Sequence, residues 1–101
     1  MRDAQALAAA GAFAVVLEMV PADVAERVTK ELSIPTIGIG AGVGCDGQVL
    51  VWPDMAGLSP HPMPRLVKAF ADLRGTLLAA AREYASEVRD GVFPGPDQTY
   101  V

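Results

Sequence analysis

Apolar and polar positions fall into blocks of changing period along the first half of this chain. The blocks are short enough to be single secondary-structure elements. Residues 3 to 10 are rich in Ala and Leu between Asp3 and Gly11, which predicts a short helix with an acidic N-cap and a glycine stop. The unbroken run Phe13 to Leu17 reads as a buried strand ending at Glu18. Pro21 then occupies a first helical position, and Val24, Ala25, Val28 and Leu32 recur at helical spacing. Asp23, Glu26, Arg27, Lys30 and Glu31 take the other face, so the pattern predicts an amphipathic helix over about 21 to 32. Ser33-Ile34-Pro35 ends it, and Thr36 to Ile39 makes a second strand running into Gly40-Ala41-Gly42-Val43-Gly44. Residues 13 to 39 therefore form a right-handed βαβ unit with parallel strands.

A third strand is expected over Gln48 to Trp52, closed by Pro53-Asp54, although the connection to it is too short for a crossover helix. Pro60-His61-Pro62-Met63-Pro64 must be a loop. Leu66, Val67, Phe70 and Leu73 predict a helix after it, separated by Gly75 from a second helix striped by Leu77, Leu78, Ala81, Tyr84, Ala85 and Val88 and capped by Gly91. From about residue 92 the chain is an extended Pro/Gly-rich tail. The whole is expected to be α/β, one partial domain over 1 to 101. Three parallel strands leave two raw sheet edges, as in part of a larger sheet.

Composition narrows the class. With 51% hydrophobic and 6% aromatic residues the chain is an α/β type with buried strands. A net charge of -4, with scattered Lys and Arg, argues against nucleic acid as partner. The single cysteine, Cys45, excludes an internal disulfide and a Cys cluster for zinc, and fits a reducing cytoplasm. The N-terminus lacks the apolar core of a signal peptide, and no apolar stretch approaches the roughly 20 residues that span a bilayer, so a soluble protein is expected.

Glu18 is the first catalytic candidate. An acid at the C-terminal end of a buried parallel strand lies on the face where α/β folds assemble active sites, and it should be held away from water. The competing reading is a structural acid paired with a loop Lys or Arg. Gly38, Gly40, Gly42 and Gly44 resemble a phosphate cradle, but their spacing matches neither the dinucleotide fingerprint nor the P-loop; a sharp turn at a strand end is the better account. His61 reads as a solvated loop residue, Asp46 and Asp54 as turn formers or caps, Cys45 as inert, and Trp52 and Phe70 as packing residues.

Three strings taken together resemble one family: Gly11 to Pro21 with its Leu-Glu-x-Val-Pro, Ile34-Pro35-Thr36-Ile37-Gly38-Ile39-Gly40-Ala41-Gly42, and Cys45-Asp46-Gly47-Gln48-Val49-Leu50-Val51-Trp52. With the closing Tyr84-Ala85-x-Glu87-Val88-x-x-Gly91-Val92-Phe93-Pro94, they are similar to the C-terminal part of the ketopantoate hydroxymethyltransferase family. That resemblance implies a (βα)₈ TIM barrel, of which 13 to 18, 36 to 39 and 48 to 52 would be the last three strands. It implies that Glu18 is the proton acceptor, removing the C3 proton of 3-methyl-2-oxobutanoate so that the enolate attacks the one-carbon unit of 5,10-methylenetetrahydrofolate. A carboxylate withdrawn from water by an apolar strand is a stronger base, which suits the role. The resemblance further implies Mg²⁺ held by carboxylates on earlier strands, outside this chain, and a homo-oligomer. Position 19 is Met where the family usually has Cys or Gly. Pro53 and residues 59 to 63 also depart from the family pattern, so no role passes to His61 or Asp54. A different class, a catalytically silent half-barrel acting as a self-association unit, is the alternative; a nucleotide-binding domain using the glycine loop is a third.

Overall fold

The computed structural model describes all 101 residues. Its elements run α1 (Arg2–Ala9), β1 (Val15–Glu18), α2 (Ala22–Glu31), β2 (Thr36–Ile39), β3 (Gly47–Gln48), α3 (Trp52–Met55) and α4 (Leu73–Arg89), with a 3₁₀ turn at Pro96–Gln98. The strands form one parallel sheet in the order β1-β2-β3, with Glu18 opposite Ile39 and Gly38 opposite Gln48. A sheet that advances strand by strand without reversing keeps its right-handed crossovers on one face, which is the winding of a barrel rather than of a doubly wound sheet.

The two faces differ accordingly. Val15, Leu17 and Thr36 are buried on the face that carries the helices, where Val15 and Leu17 join Ala4 of α1 and Ala25 and Val28 of α2 in the main apolar cluster. Period-2 alternation places Val16 and Glu18 on the opposite face, which nothing covers; Val16 is 57% exposed. The chain is thus the α/β arrangement of part of a (βα)₈ barrel, helices outward and a bare inner face.

Polar clips hold the crossover. Thr36, fully buried, donates its backbone N–H to Asp46 Oδ2 at 2.9 Å, and its hydroxyl lies 2.7 Å from that of Thr29 on α2. Asp46 therefore anchors the loop after β2 to the start of the same strand, a longer-range task than the turn former expected of it. Asp54 ties a loop, accepting from Ser59 Oγ at 2.5 Å. The glycine run is a close-packing device. Gly40 and Gly42 have φ of +61° and +79°, and a Cβ on Gly42 would lie 2.6 Å from that of Ala22 on α2. Gly42→Ala should lower the stability of the full-length protein by about 2 kcal/mol or more, from left-handed backbone cost plus overpacking, read as a fall in the midpoint of thermal unfolding.

Several expectations need correction. α1 has Met1 at its N-cap and Asp3 inside its first turn, and Pro21 is the N-cap of α2. The third strand covers only Gly47–Gln48, extended by one further bond from Val49 N–H to the Gly38 carbonyl, because Trp52 and Pro53 begin the short helix α3. The helix expected from residue 66 does not form. Instead the N–H groups of Phe70, Leu73 and Arg74 bond to the carbonyls of Met55, Ala56 and Gly57, which ties this stretch alongside the end of α3. Asp72 then caps α4, its Oδ1 accepting from Gly75 N–H at 3.0 Å, so Gly75 belongs to the first turn of one long helix. Trp52 and Phe70, expected to be packed, are 64% and 68% exposed. α4 buries no residue, and its stripe of Leu73, Leu77, Tyr84 and Val88 is unpartnered apart from an edge contact between Tyr84 and Phe93.

Candidate active site

Glu18 is the last residue of β1, on the inner face of the sheet, next to Ile39 across the ladder. The next residue, Met19, has φ of +54°, a left-handed conformation that a non-glycine residue enters at a cost of about 1 to 2 kcal/mol. It is held there by a bond from its N–H to the Ile39 carbonyl at 2.9 Å. The chain therefore turns sharply straight after the acid, at the C-terminal end of the sheet. The carboxylate of Glu18 has no hydrogen bond and no ion pair; the one ion pair in the chain joins Lys30 to Glu26 on the surface of α2. Within this chain Glu18 has neither the loop Lys nor the loop Arg partner that the structural-acid reading calls for.

The expected shielding from water is absent here, and this corrects the sequence reading: Glu18 is exposed. Alternation put it on the face away from α1 and α2, and that face carries no covering layer in this chain. The apolar run before it misled, since only Val15 and Leu17 of the strand point into the helix-covered core.

Two depressions meet beside this strand end. One, of about 800 Å³, lies between the glycine loop and the segment after α3, lined among others by Ile39, Gly42, Val49, Leu66, Lys68 and Phe70. The other, of about 370 Å³, is bounded by Met19, Gly40, Pro64, Arg65 and Leu66. They share Gly40 and Leu66, which are in tight contact: a Cβ on Gly40 would lie 2.9 Å from that of Leu66. This brings the segment 64–70 over the ends of β1 and β2, something the helical reading of Leu66, Val67 and Phe70 concealed. Arg65 and Lys68, passed over in the sequence, are thereby placed at the groove, Lys68 Nζ standing 4.9 Å from the Phe70 ring centroid. His61 is exposed and borders a separate depression with Asp54, Ser59 and Asp72. Cys45 is half-buried beside Gly38. No three His, Cys, Asp or Glu side chains converge to hold a metal ion.

Glu18 thus lies at the C-terminal end of a parallel strand, on the face opposite the helices and beside a groove, which is the end of a (βα)₈ barrel where active sites are built. The match to known proteins narrows the class. Residues 1–96 match the family model of ketopantoate hydroxymethyltransferase. Over 98 residues the chain is 64% identical to the 3-methyl-2-oxobutanoate hydroxymethyltransferase of Nocardioides sp., covering 97% of this chain and 33% of that protein. It is 65% identical over 100 residues to the protein of that name from Frankia casuarinae, and 61% over 98 residues to that from Leifsonia xyli subsp. xyli. These alignments cover 99% and 97% of this chain and 34% and 35% of the relatives. The chain belongs to the ketopantoate hydroxymethyltransferase family, and it spans about a third of the length of the relatives it matches.

Proposed function

We propose that this chain supplies the base-bearing portion of a 3-methyl-2-oxobutanoate hydroxymethyltransferase. The unpaired carboxylate of Glu18 on the inner sheet face is the observation that carries this reading. In the reaction Glu18 takes the C3 proton of 3-methyl-2-oxobutanoate, leaving an enolate whose C3 forms a bond to the methylene carbon of 5,10-methylenetetrahydrofolate. With one water consumed, tetrahydrofolate leaves and 2-dehydropantoate results, a step of pantothenate and coenzyme A synthesis. Glu18 is suited to the role by position: it ends a strand, its backbone is fixed by the ladder, and its side chain is exposed on the inner face.

Mg²⁺ belongs to this proposal as the group that counters charge on the enolate when bound. The residues of this chain do not fit it, since no carboxylate cluster exists among them. A cytoplasmic setting and a homo-oligomeric assembly are parts of the same reading. The lone cysteine supports the first and the unpartnered stripe of α4 the second; no helix is long and apolar enough to cross a membrane.

The test uses a full-length enzyme containing this segment, supplied with both substrates and Mg²⁺. It should form 2-dehydropantoate and lose activity on chelation, whereas calorimetry of the 101-residue chain alone should show no micromolar Mg²⁺ binding. Failure to form product with both substrates present would overturn the assignment.

A further inference from the structure

Met19 is the one residue other than glycine in this chain with a left-handed backbone, at φ of +54°. Such a conformation persists only where the surroundings impose it, and it recurs beside reacting groups. Packing of the Met19 side chain does not impose it, for that side chain is 72% exposed. What the turn achieves shows in the residues on either side. Leu17 is buried on the face that carries the helices, so strict alternation would put Met19 on that face and Val20 on the inner face with Glu18. Val20 instead packs against the apolar cluster that contains Leu17. The left-handed residue breaks the alternation, and Glu18 and Met19 become the two residues held between a pair of apolar anchors. A further tie acts at the same point: the Met19 N–H donates to the carbonyl of Ile39, the residue opposite Glu18 in the ladder, at 2.9 Å.

We propose that Met19 and Val20 are positioning residues for proton removal: the left-handed turn at Met19, held by the Val20 anchor and the bond to Ile39, fixes the strand end from which the Glu18 carboxylate meets its proton. The proposal rests on the hydroxymethyltransferase reading and deepens it. A base must stand within hydrogen-bonding distance of the proton it takes, and the part of that geometry supplied by this chain is the backbone under Glu18. Leu17 fixes that backbone from one side; the turn and Val20 fix it from the other. What matters at position 19 is then the capacity for positive φ, and the thioether is dispensable. Glycine enters that region without steric cost and asparagine more readily than most residues, whereas a β-branched residue resists it most.

The test compares full-length parental enzyme with Met19→Gly, Met19→Asn, Met19→Val and Val20→Ala. Folate-free exchange of the C3 proton is followed across oxo-acid concentration, beside thermal unfolding of each variant. Met19→Gly and Met19→Asn should exchange within about threefold of the parental rate, since both keep the turn. Met19→Val should lower the rate at saturating oxo acid about tenfold to a hundredfold, the upper figure being the cost of a misplacement of about 1 Å, and leave the half-saturating concentration within about twofold. Val20→Ala keeps Met19 and loosens the anchor; it should lower the same rate at unchanged half-saturation, and it tests the proposal even where Met19→Val does not fold. A turn that serves the fold alone would lower the unfolding midpoints of Met19→Val and Val20→Ala while the folded enzyme exchanges at the parental rate, and that result overturns the proposal. Equal losses in Met19→Gly, Met19→Asn and Met19→Val also overturn it, assigning the role to the thioether. Parental enzyme that exchanges no C3 proton would instead count against the reaction itself, so the two failures are distinguishable.

Discussion

Glu18→Gln in the full-length enzyme should slow exchange of the substrate C3 proton into deuterated water about a hundredfold or more, the scale of a well-placed general base. Affinity for the oxo acid should remain within a few fold. The amide preserves the shape of the side chain and the register of β1 against β2, so the strand end and the turn at Met19 should be undisturbed. What is lost is the capacity to accept a proton. Exchange followed by NMR in the absence of folate isolates that step from carbon–carbon bond formation. Parental exchange rates in the variant would make Glu18 a structural acid.

The second large effect concerns the 101-residue chain by itself, which should self-associate or melt without a cooperative transition. Only 9 of its 101 residues are buried, and its radius of gyration is 22.3 Å, against about 13 Å for a compact domain of this length. Its accessible surface is 7741 Å², where a folded monomer of 10.5 kDa would expose about 5,400 Å². The excess comes from identifiable places: the bare inner face with Val16, the unpaired edges of β1 and β3, and the apolar stripe of α4. Each is apolar surface or open backbone that lowers free energy when covered. Sedimentation and thermal melts check this, and a monomer with a sharp, reversible transition would refute it. The barrel reading carries the complementary expectation that covering these surfaces in the full-length enzyme restores cooperativity.

How far the sequence was legible follows from which forces are local. The βαβ unit could be read because its signals are short-range: an apolar run, a proline at the start of a helix, apolar residues at helical spacing, and a second run bounded by proline and glycine. Thr36–Ile39 came out as read, and α2 differed by a residue at each end. The Leu-Glu-x-Val-Pro string marked Glu18, and with the other strings it was enough to identify the family.

The second half was decided by tertiary contacts. Leu66, Val67, Phe70 and Leu73 have helical spacing, yet the backbone from Phe70 to Arg74 is committed to the carbonyls of Met55 to Gly57, and Asp72 starts the helix only after that. Periodicity cannot register a hydrogen-bonding partner fifteen residues away. The same misreading hid Arg65 and Lys68, which reach the groove only because Leu66 packs on a glycine in a distant turn. The exposure of Glu18 was likewise out of reach. An apolar strand states that its side chains are compatible with burial, but which face is covered depends on where the helices land. By itself the sequence determined the parallel α/β unit and the family, and it singled out Glu18 as the candidate acid. The tertiary structure alone decided which face that acid occupies, what stands beside it, and how much of the surface waits for a partner, because those depend on contacts between residues far apart in the chain.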